Sequence, residues 1–449
     1  MDTRAPGRVL PPSFLGVSME WTSVAPFGGP ARDGVVALLR RLEEARGAPL
    51  ALRIGGATAD ESWWNPDHRR ARPPNVRHDI DARTLAALAG LARGLDAPVS
   101  LGLNLQTGDT ANAVALARAA QRRLGARLDG LEIGNEPDLY TAARTFGPPA
   151  VRRLRKRVAY TPADYARDAG RYLDALTAAL PADDRPRLVV GGFAGSAAFA
   201  AALPGLIAAH PGAVGAVAAH RYALAGCRLQ PAGAADLRTA LLSSATRGRL
   251  EGLAPLIALA HRRRLPLDVA ELNSAPCGGA PGVSDSFASA LWLADALFTL
   301  ARAGADRVDV HTWDGAVYAP FARRGAEVVP RPPFSGMLAF ARAAPRGSRL
   351  VPVSVAGNSR LRAWATTARH GTVRVALIAA TKGKRVPVRI AVGAGRPCAT
   401  VRITSAPSLA ARSGIVDRPA RPVCARGGAL ALALPAPSIA VVTLPASGG

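Results

Sequence analysis

Two apolar stretches of the sequence each run directly into a glutamate. The first, LDGLEIGNEPDLY over residues 128–140, passes through Asn135 to Glu136 and then turns at a proline, and the second, LPLDVAELN over residues 265–273, carries Glu271 near its end. A single carboxyl at the end of a strand can simply cap the next helix. Two carboxyls that face one cleft can instead divide the work of glycoside hydrolysis, because a protonated one releases the leaving group and an ionised one attacks the anomeric carbon.

Short apolar runs alternate with amphipathic Ala/Leu/Arg-rich segments over the first three quarters of the chain. The apolar runs predict eight strands, namely FLGVSME, LALRIGG, PVSLGLN, LDGLEIGN, RLVVGGF, AVGAVAAHRY, LPLDVAELN and RVDVHTW. The segments between them predict helices that include 34–46, 82–94, 110–124, 162–180, 247–263 and 284–303. Eight strands that alternate with helices favour an α/β fold of the (β/α)8 TIM barrel type. A doubly wound open sheet is the alternative, but RIGGATAD lacks the GxGxxG spacing of a phosphate-binding loop.

A barrel of this kind would bring the two glutamates to the same mouth. Active-site residues of (β/α)8 barrels lie at the C-terminal ends of the strands. Glu136 follows the fourth predicted strand and Glu271 ends the seventh, so their carboxyls would face each other across the ring. The order of the strands therefore predicts one shared acidic site.

The character of the sequence changes near residue 345. From there the helical segments stop, and β-rich runs such as LRAWATT, VRVALIAAT and SIAVVTLP are separated by Gly, Pro and Ser. This pattern is typical of a small all-β sandwich. We therefore predict a catalytic barrel over residues 1–344 and a C-terminal β-sandwich domain over residues 345–449.

The composition indicates which classes of partner to expect for the chain. It has 449 residues with 57 basic and 32 acidic side chains, a net charge of +25. No stretch is long and apolar enough to predict a membrane span, and the start, MDTRAPGRVLPPSFLG, has no apolar signal-peptide region. No nucleic-acid recognition motif is present, so no nucleic-acid partner is expected. An acidic sugar or polysaccharide fits the same positive field.

Four cysteines are present, and none belongs to a CxxC pair that would suggest zinc. They are either four buried thiols or two disulfides. Cys227 follows the sixth predicted strand and Cys277 the seventh, so adjacent barrel loops would bring them together. We predict this pair, and a second disulfide between Cys398 and Cys424. Disulfides would favour an extracytoplasmic location.

The sequence resembles glycoside hydrolase family 79, the β-glucuronidase and heparanase family in the clan of retaining (β/α)8 glycosidases. The resemblance spans residues 14–321 and rests on FLGVSMEW, LRIGGATAD, LEIGNEPDLY, VAAHRYAL, VAELNSAPCGGAPGVSDSFASALW and VDVHTWDGAVYAPF. The glycine-rich segment after Glu271 is the most specific of these, whereas GNEP alone indicates only the clan. The resemblance implies an enzyme that needs no metal ion and no organic cofactor.

By this resemblance, Glu136 is the catalytic acid/base and Glu271 the nucleophile. Arg53 and Tyr222 would keep the nucleophile ionised and oriented, and Asn135 would bond the sugar 2-hydroxyl. The other implied substrate-binding residues are Glu20, His220, Tyr222 and, for the C5 carboxylate of a uronic acid, the backbone of Cys277, Gly278 and Gly279 together with Tyr318. Three of these residues have an alternative interpretation. Asn135 could be a turn residue, Arg53 part of a structural ion pair, and Glu20 a cap.

The sequence thus predicts a retaining exo-acting β-glucuronidase that forms a covalent glycosyl-enzyme. The alternatives are an endo-β-glucuronidase of acidic polysaccharide and a non-catalytic carbohydrate-binding barrel. Cys277 stands where the heparanase type usually has glycine, which argues against the endo alternative. The expected partner is a β-glucuronide or acidic oligosaccharide, and a monomer is compatible with these features.

One basic segment, VRRLRKRV over residues 151–158, follows the acid/base strand. It is either solvated surface or a border of the leaving-group side of the cleft that favours acidic aglycones. Its cations are Arg152, Arg153, Arg155, Lys156 and Arg157.

Overall fold

The structure is a computed structural model that describes residues 7–74, 76–140, 160–227, 233–357, 361–368, 371–381, 383, 385–392 and 398–446. The basic segment 151–158 lies outside the described residues, so its proposed role stays a prediction.

Eight parallel strands form a closed barrel, which confirms the predicted fold class. In chain order they are Leu15–Glu20, Ala51–Gly55, Val99–Leu103, Leu128–Ile133, Arg187–Phe193, Val214–Tyr222, Leu267–Asn273 and Arg307–Thr312. The eighth strand closes on the first, with Val308 opposite Leu15. Every residue of the first, second, third, seventh and eighth strands is buried, as expected for a parallel sheet covered by helices. We refer to these strands by their order in the barrel.

The described helices are Trp21–Gly28, Arg32–Arg46, Ala82–Leu95, Thr110–Leu124, Pro162–Ala179, Ala197–Ala209, Ala234–Leu241, Ser244–Glu251, Ala254–Arg262, Phe287–Ala303 and Pro332–Ala343. Side-chain caps begin several of them: Asp81 accepts from the backbone of Thr84, and Thr161 forms a reciprocal capping box with Asp164. The single helix predicted over residues 247–263 is two helices that are interrupted at Gly252. None of the described helices has the length and apolar character that crossing a bilayer requires.

A layer of buried charges fills the N-terminal end of the barrel. Arg307 begins the eighth strand and lies 3.1 Å from carboxylate oxygens of Asp129, Asp268 and Asp309. Burial raises the pKa of Asp309 to about 7, although Arg307 opposes this rise. The barrel interior is therefore packed with paired polar side chains, and the site is built on top of them.

Antiparallel sheets follow the barrel. Six strands pair in the spatial order Arg349–Val351, Leu361–Thr367, Val373–Ala379, Ser438–Leu444, Cys398–Ser405 and Val416–Cys424, and Arg385–Ala391 pairs with Ala429–Pro435. Alternate side chains of the second sheet, such as Val386 and Leu434, share a core with Val375 and Val442 of the first, which is sandwich packing. Ile439 packs against barrel helix residues, which joins the sheets to the barrel. The domain division at residue 345 stays a prediction.

The sequence did not predict two pairs of short strands. Ser62–Trp64 pairs with His78–Ile80, and Phe321–Arg324 pairs with Glu327–Pro330. Near the N-terminus, Gly7 donates its N–H to Leu350 O, so this segment lies along the edge of the six-stranded sheet. Three- and four-residue strands are too short for alternation to be recognised.

Candidate active site

Glu271 lies in the seventh strand with a buried side chain. Arg53 Nη1 donates to Glu271 Oε1 at 2.7 Å, and the Tyr222 hydroxyl donates to Oε2 at 2.7 Å. His220 Nδ1 lies 3.6 Å from Oε2, and His311 Nδ1 lies 3.9 Å from Oε1. Burial alone would raise the pKa of Glu271, but His220, His311 and Arg53 hold that pKa well below its ordinary value. Glu271 is therefore ionised at neutral pH.

Glu136 follows the fourth strand and starts the 3₁₀ turn Pro137–Leu139. Its φ of +45° is a left-handed conformation that side chains other than glycine rarely adopt. The Glu136 N–H donates to Gly192 O at 3.0 Å, which fixes the turn to the fifth strand. Its side chain is 17% exposed, against 5% for Glu271. Glu136 is thus the more open of the two acids, and its conformation is held by the surrounding fold.

His220 lies between the two acids. It is fully buried at the end of the sixth strand, with Nδ1 3.2 Å from Glu136 Oε1 and Nε2 3.7 Å from Glu132 Oε1. Burial by itself would lower the pKa of His220, but Glu271, Glu132 and Glu136 raise it to about 10. Glu136, His220 and Glu271 each offer one possible ligand atom, and these three atoms lie within 4.8 Å of one another. They are close enough to share a metal ion. A metal ion could bind there only if His220 lost its proton, so the affinity for a metal would weaken as the pH falls.

Arg53 connects the acids to the strands below them. Its fully buried guanidinium donates from Nε to Glu132 Oε2 at 2.7 Å and from Nη2 to Asn135 Oδ1 at 3.1 Å. Burial would lower the pKa of Arg53, but Glu132 and Glu271 raise it above its ordinary value, so it stays charged. Because Arg53 occupies Asn135 Oδ1, the Asn135 amide Nδ2 is the group left to donate to a ligand.

Asp60 and Tyr140 hold the turn that carries Asn135 and Glu136. Asp60 Oδ2 accepts from the Tyr140 hydroxyl at 2.6 Å and from the Asn135 N–H at 3.2 Å, while Oδ1 accepts from the Leu105 N–H at 3.0 Å. Burial raises the pKa of Asp60 to about 6 against the effect of these bonds. Sequence reasoning missed both residues, although they lie within LRIGGATAD and LEIGNEPDLY.

Glu20 borders the cavity, but its carboxylate is already engaged. It accepts from the backbone N–H of Ala57 at 3.2 Å and of Thr58 at 2.8 Å, and from the Thr58 hydroxyl. His311 Nε2 lies 3.3 Å from Glu20 Oε1. These contacts fit the cap interpretation, since Glu20 anchors the loop that follows the second strand.

The glycine-rich loop after Glu271 has three successive residues with positive φ: Cys277 at +56°, Gly278 at +88° and Gly279 at +97°. Cys277 and Gly278 border the cavity, and neither backbone N–H has an acceptor among the described residues. The Gly279 N–H instead donates to Pro276 O at 3.1 Å. The Gly279 N–H is therefore engaged within the loop, and its role as a carboxylate donor stays a prediction.

Two contacts brace this loop. Gly278 O accepts from the backbone N–H of Tyr318 at 3.2 Å, which ties the loop to the segment after the eighth strand. Cys227 and Cys277 form a disulfide with their Cα atoms 5.2 Å apart. Cys398 and Cys424 form the second disulfide, so both predicted pairs are confirmed.

These groups surround a cavity of about 810 Å³ at the C-terminal mouth of the barrel. The predicted residues at its wall are Glu20, Asn135, Glu136, Tyr222, Glu271, Cys277, Gly278 and Tyr318, while Arg53 and His220 lie buried beneath. Sequence reasoning missed His311, Trp313, Arg221 and Arg249. His311 lies near the end of the eighth strand and Trp313 directly follows it, both in the quoted VDVHTW, where the strand-end rule could have found them.

The sequence matches no protein-family model, and no curated protein matches it. Solved structures share its fold over nearly the whole chain. A 4-O-α-L-rhamnosyl-β-D-glucuronidase from Fusarium oxysporum 12S, in complex with Rha-GlcA, has a TM-score of 0.80 at 19% identity and covers 99% of this chain and 98% of its own.

Two further similar structures are glycoside hydrolases with other substrates. The GH51 arabinofuranosidase from Xanthomonas axonopodis pv. citri has a TM-score of 0.72 at 15% identity, and 98% of each chain is covered. A glycoside hydrolase family 30 subfamily 8 xylanase from Clostridium acetobutylicum has a TM-score of 0.62 at 13% identity, covering 99% of this chain and 98% of that one. At these identities the likeness shows the fold, a barrel with C-terminal β-sheets that glycoside hydrolases share.

Proposed function

We propose that the chain is a retaining, exo-acting β-glucuronidase of the family 79 type. The pair of acids at the barrel mouth carries this proposal, because Glu271 is buried and ionised while Glu136 is more open and has an oxygen within 4.8 Å of it. Retaining glycosidases hold their two carboxyl groups about 5–5.5 Å apart, whereas inverting ones leave about 6.5–9.5 Å for a water molecule. One oxygen of each acid lies within 4.8 Å of an oxygen of the other, a close approach that is compatible with retention.

The reaction follows from the two environments. Glu271 attacks C1 of the sugar while Glu136 gives its proton to the glycosidic oxygen, so the C1–O bond breaks and an ester to Glu271 forms. Glu136 then takes a proton from water as the water oxygen attacks C1, and Glu271 leaves as a carboxylate. Esterification removes the negative charge of Glu271.

Neighbouring groups supply the rest of the catalysis. The Tyr222 hydroxyl and Arg53 fix both oxygens of Glu271, which aims the nucleophile and keeps it from taking a proton. The Asn135 amide can donate to the 2-hydroxyl, a bond that strengthens as positive charge develops on the ring.

The loop after the nucleophile supports the choice of a uronic acid. The backbone N–H groups of Cys277 and Gly278 have no described acceptor and border the cavity, and successive N–H groups in such turns bind carboxylates. Tyr318 lies on the same wall with a buried ring. A solved structure of the same fold is a 4-O-α-L-rhamnosyl-β-D-glucuronidase, which supports a glycone that contains glucuronic acid.

The test is hydrolysis of 4-nitrophenyl β-glycosides that differ only at C5: the glucuronide, the glucoside and the xyloside. We expect the glucuronide to be cleaved at least about tenfold faster, which is what one charge-assisted carboxylate contact provides. A glucoside or xyloside cleaved as fast would overturn the glucuronidase proposal. Release of internal fragments from an acidic polysaccharide would favour the endo alternative.

Two variants separate the roles of the acids. Glu271→Gln should abolish turnover of every substrate, because no leaving group can bypass the nucleophile. Glu136→Ala should still release 2,4-dinitrophenol, which needs no protonation, and added azide should yield the β-glycosyl azide. Glu44→Gln, an exposed glutamate outside the cavity, is the matched control. An α-configured azide product would contradict retention.

A further inference from the structure

Two arginines at the cavity wall take no part in the proposed reaction. Arg221 is half-buried near the end of the sixth strand, and Arg249 is exposed on the helix Ser244–Glu251. Both border the cavity that contains the two acids. Neither arginine forms an ion pair with a carboxylate in the part of the chain that the structure describes. Most buried or half-buried arginines of this protein, such as Arg53 and Arg307, do have such partners.

The Arg221 guanidinium has unused hydrogen-bonding capacity. Its Nε atom is buried without a hydrogen-bond partner. Burial lowers the pKa of Arg221, Asp138 offsets part of this effect, and the like charge of Arg249 adds to it. Both cations border the cavity, and neither forms an ion pair with a carboxylate of the described residues. A negatively charged ligand there would form charge-assisted hydrogen bonds with the guanidinium groups and offset their mutual repulsion.

The position of Arg221 identifies the part of a substrate it would meet. A Cβ added at Gly195 would lie 2.9 Å from Arg221 Nη1, so the guanidinium rests against the segment after the fifth strand. The N–H groups of residues 194–196 in that segment donate to Asp138 at 2.9–3.0 Å. Asp138 lies two residues after Glu136, so Arg221 flanks the proposed acid/base.

The sugar whose bond is attacked has its own proposed contacts at the cavity wall. These are Cys277, Gly278 and Tyr318, the proposed uronate contacts. The acid/base gives its proton to the leaving-group oxygen, and the leaving group must therefore lie on the Glu136 flank. An anion held by Arg221 would belong to the leaving group.

We infer that Arg221 and Arg249 form an anion-binding subsite for the leaving group, and that the substrate bears a carboxylate or sulfate on the residue next to the scissile bond. This inference rests on the proposed glycosidase reaction, although it does not depend on the glycone being glucuronic acid. The arginine pair lies outside the basic segment 151–158 and stands on described residues alone.

The test compares two substrates that differ by one charge: 3-carboxyphenyl and 3-carbamoylphenyl β-glucuronide. At low salt the wild type should favour the carboxylate about tenfold in kcat/KM. The ratio should fall severalfold in Arg249→Gln and approach one in Arg221→Gln/Arg249→Gln. Arg123→Gln removes an exposed arginine from the helix Thr110–Leu124 and should leave the ratio unchanged. In the wild type the ratio should also decline as NaCl screens the charges, which needs no variant.

The outcomes separate the two proposals. A ratio that keeps its wild-type value in the double variant, or a wild-type ratio near one, overturns the subsite. Failure to cleave any glucuronide while another aryl glycoside is cleaved overturns the proposed function but leaves the subsite testable, because the same carboxylate and amide pair can be compared on that glycoside. A 3-sulfophenyl glycoside in the same comparison distinguishes sulfate-like from carboxylate leaving groups.

Discussion

Glu132 is the buried carboxylate beneath the proposed nucleophile. Replacing it should change the free energy of unfolding by a measurable amount. Arg53 Nε donates to Glu132 at 2.7 Å, and His220 Nε2 lies 3.7 Å away. Burial by itself would raise the pKa of Glu132, but Arg53 and His220 lower it from 4.5 to about 2. This lowering corresponds to about 3 kcal/mol of stability at pH 7. We predict that Glu132→Gln, which keeps the shape but not the charge, lowers the free energy of unfolding by that amount.

The same pKa determines how the effect depends on pH. A carboxyl whose pKa is lowered by folding adds stability above its unfolded-state pKa and loses it as the pH falls toward the folded-state pKa. For Glu132 this window runs from 4.5 down to about 2. The difference between wild type and Glu132→Gln should stay near 3 kcal/mol from pH 7 to pH 5 and shrink to about 1 kcal/mol at pH 3.

Urea denaturation at pH 7, 5 and 3, followed by tryptophan fluorescence, measures this difference. The control is Glu44→Gln, because Glu44 is exposed and its loss should change stability by less than about 0.5 kcal/mol. A difference for Glu132→Gln that is the same at pH 7 and pH 3, or that is below about 1 kcal/mol at pH 7, would refute the reasoning.

Three further perturbations test the site and the barrel. Tyr222→Phe removes a 2.7 Å bond to the nucleophile and should lower kcat about 10- to 100-fold; a kcat within twofold of wild type would contradict its role. Cys277→Ser opens the disulfide and should raise KM for the glucuronide more than for the glucoside, whereas equal rises would speak against a braced carboxylate loop. In Gly16→Ala the new Cβ would overlap Asp309 Oδ1, so Tm should fall by several degrees in a thermal melt, while helical Gly205→Ala, with nothing within 4 Å, should not lower it.

The sequence alone was enough for the order and type of the elements. Apolar runs and amphipathic segments are local patterns, and each of the eight predicted runs coincides with a barrel strand. The ends of the fourth and seventh strands then placed Glu136 and Glu271 at one mouth, because parallel strands in a barrel end on the same face. Barrel order likewise selected the Cys227–Cys277 disulfide, since loops after neighbouring strands are adjacent.

Only the tertiary structure decided how these side chains meet. The contacts of Arg53 with Glu132 and Glu271, and the bond that the Asn135 N–H donates to Asp60, join residues far apart in the chain. Among the described residues, Arg221 Nε finds no hydrogen-bond partner. These arrangements depend on the stagger of the strands and on side-chain rotamers, which no local pattern encodes. The Gly279 N–H is a further example of what the local sequence does not encode. A glycine-rich run predicts free N–H donors, but the folded loop uses this one for its own turn.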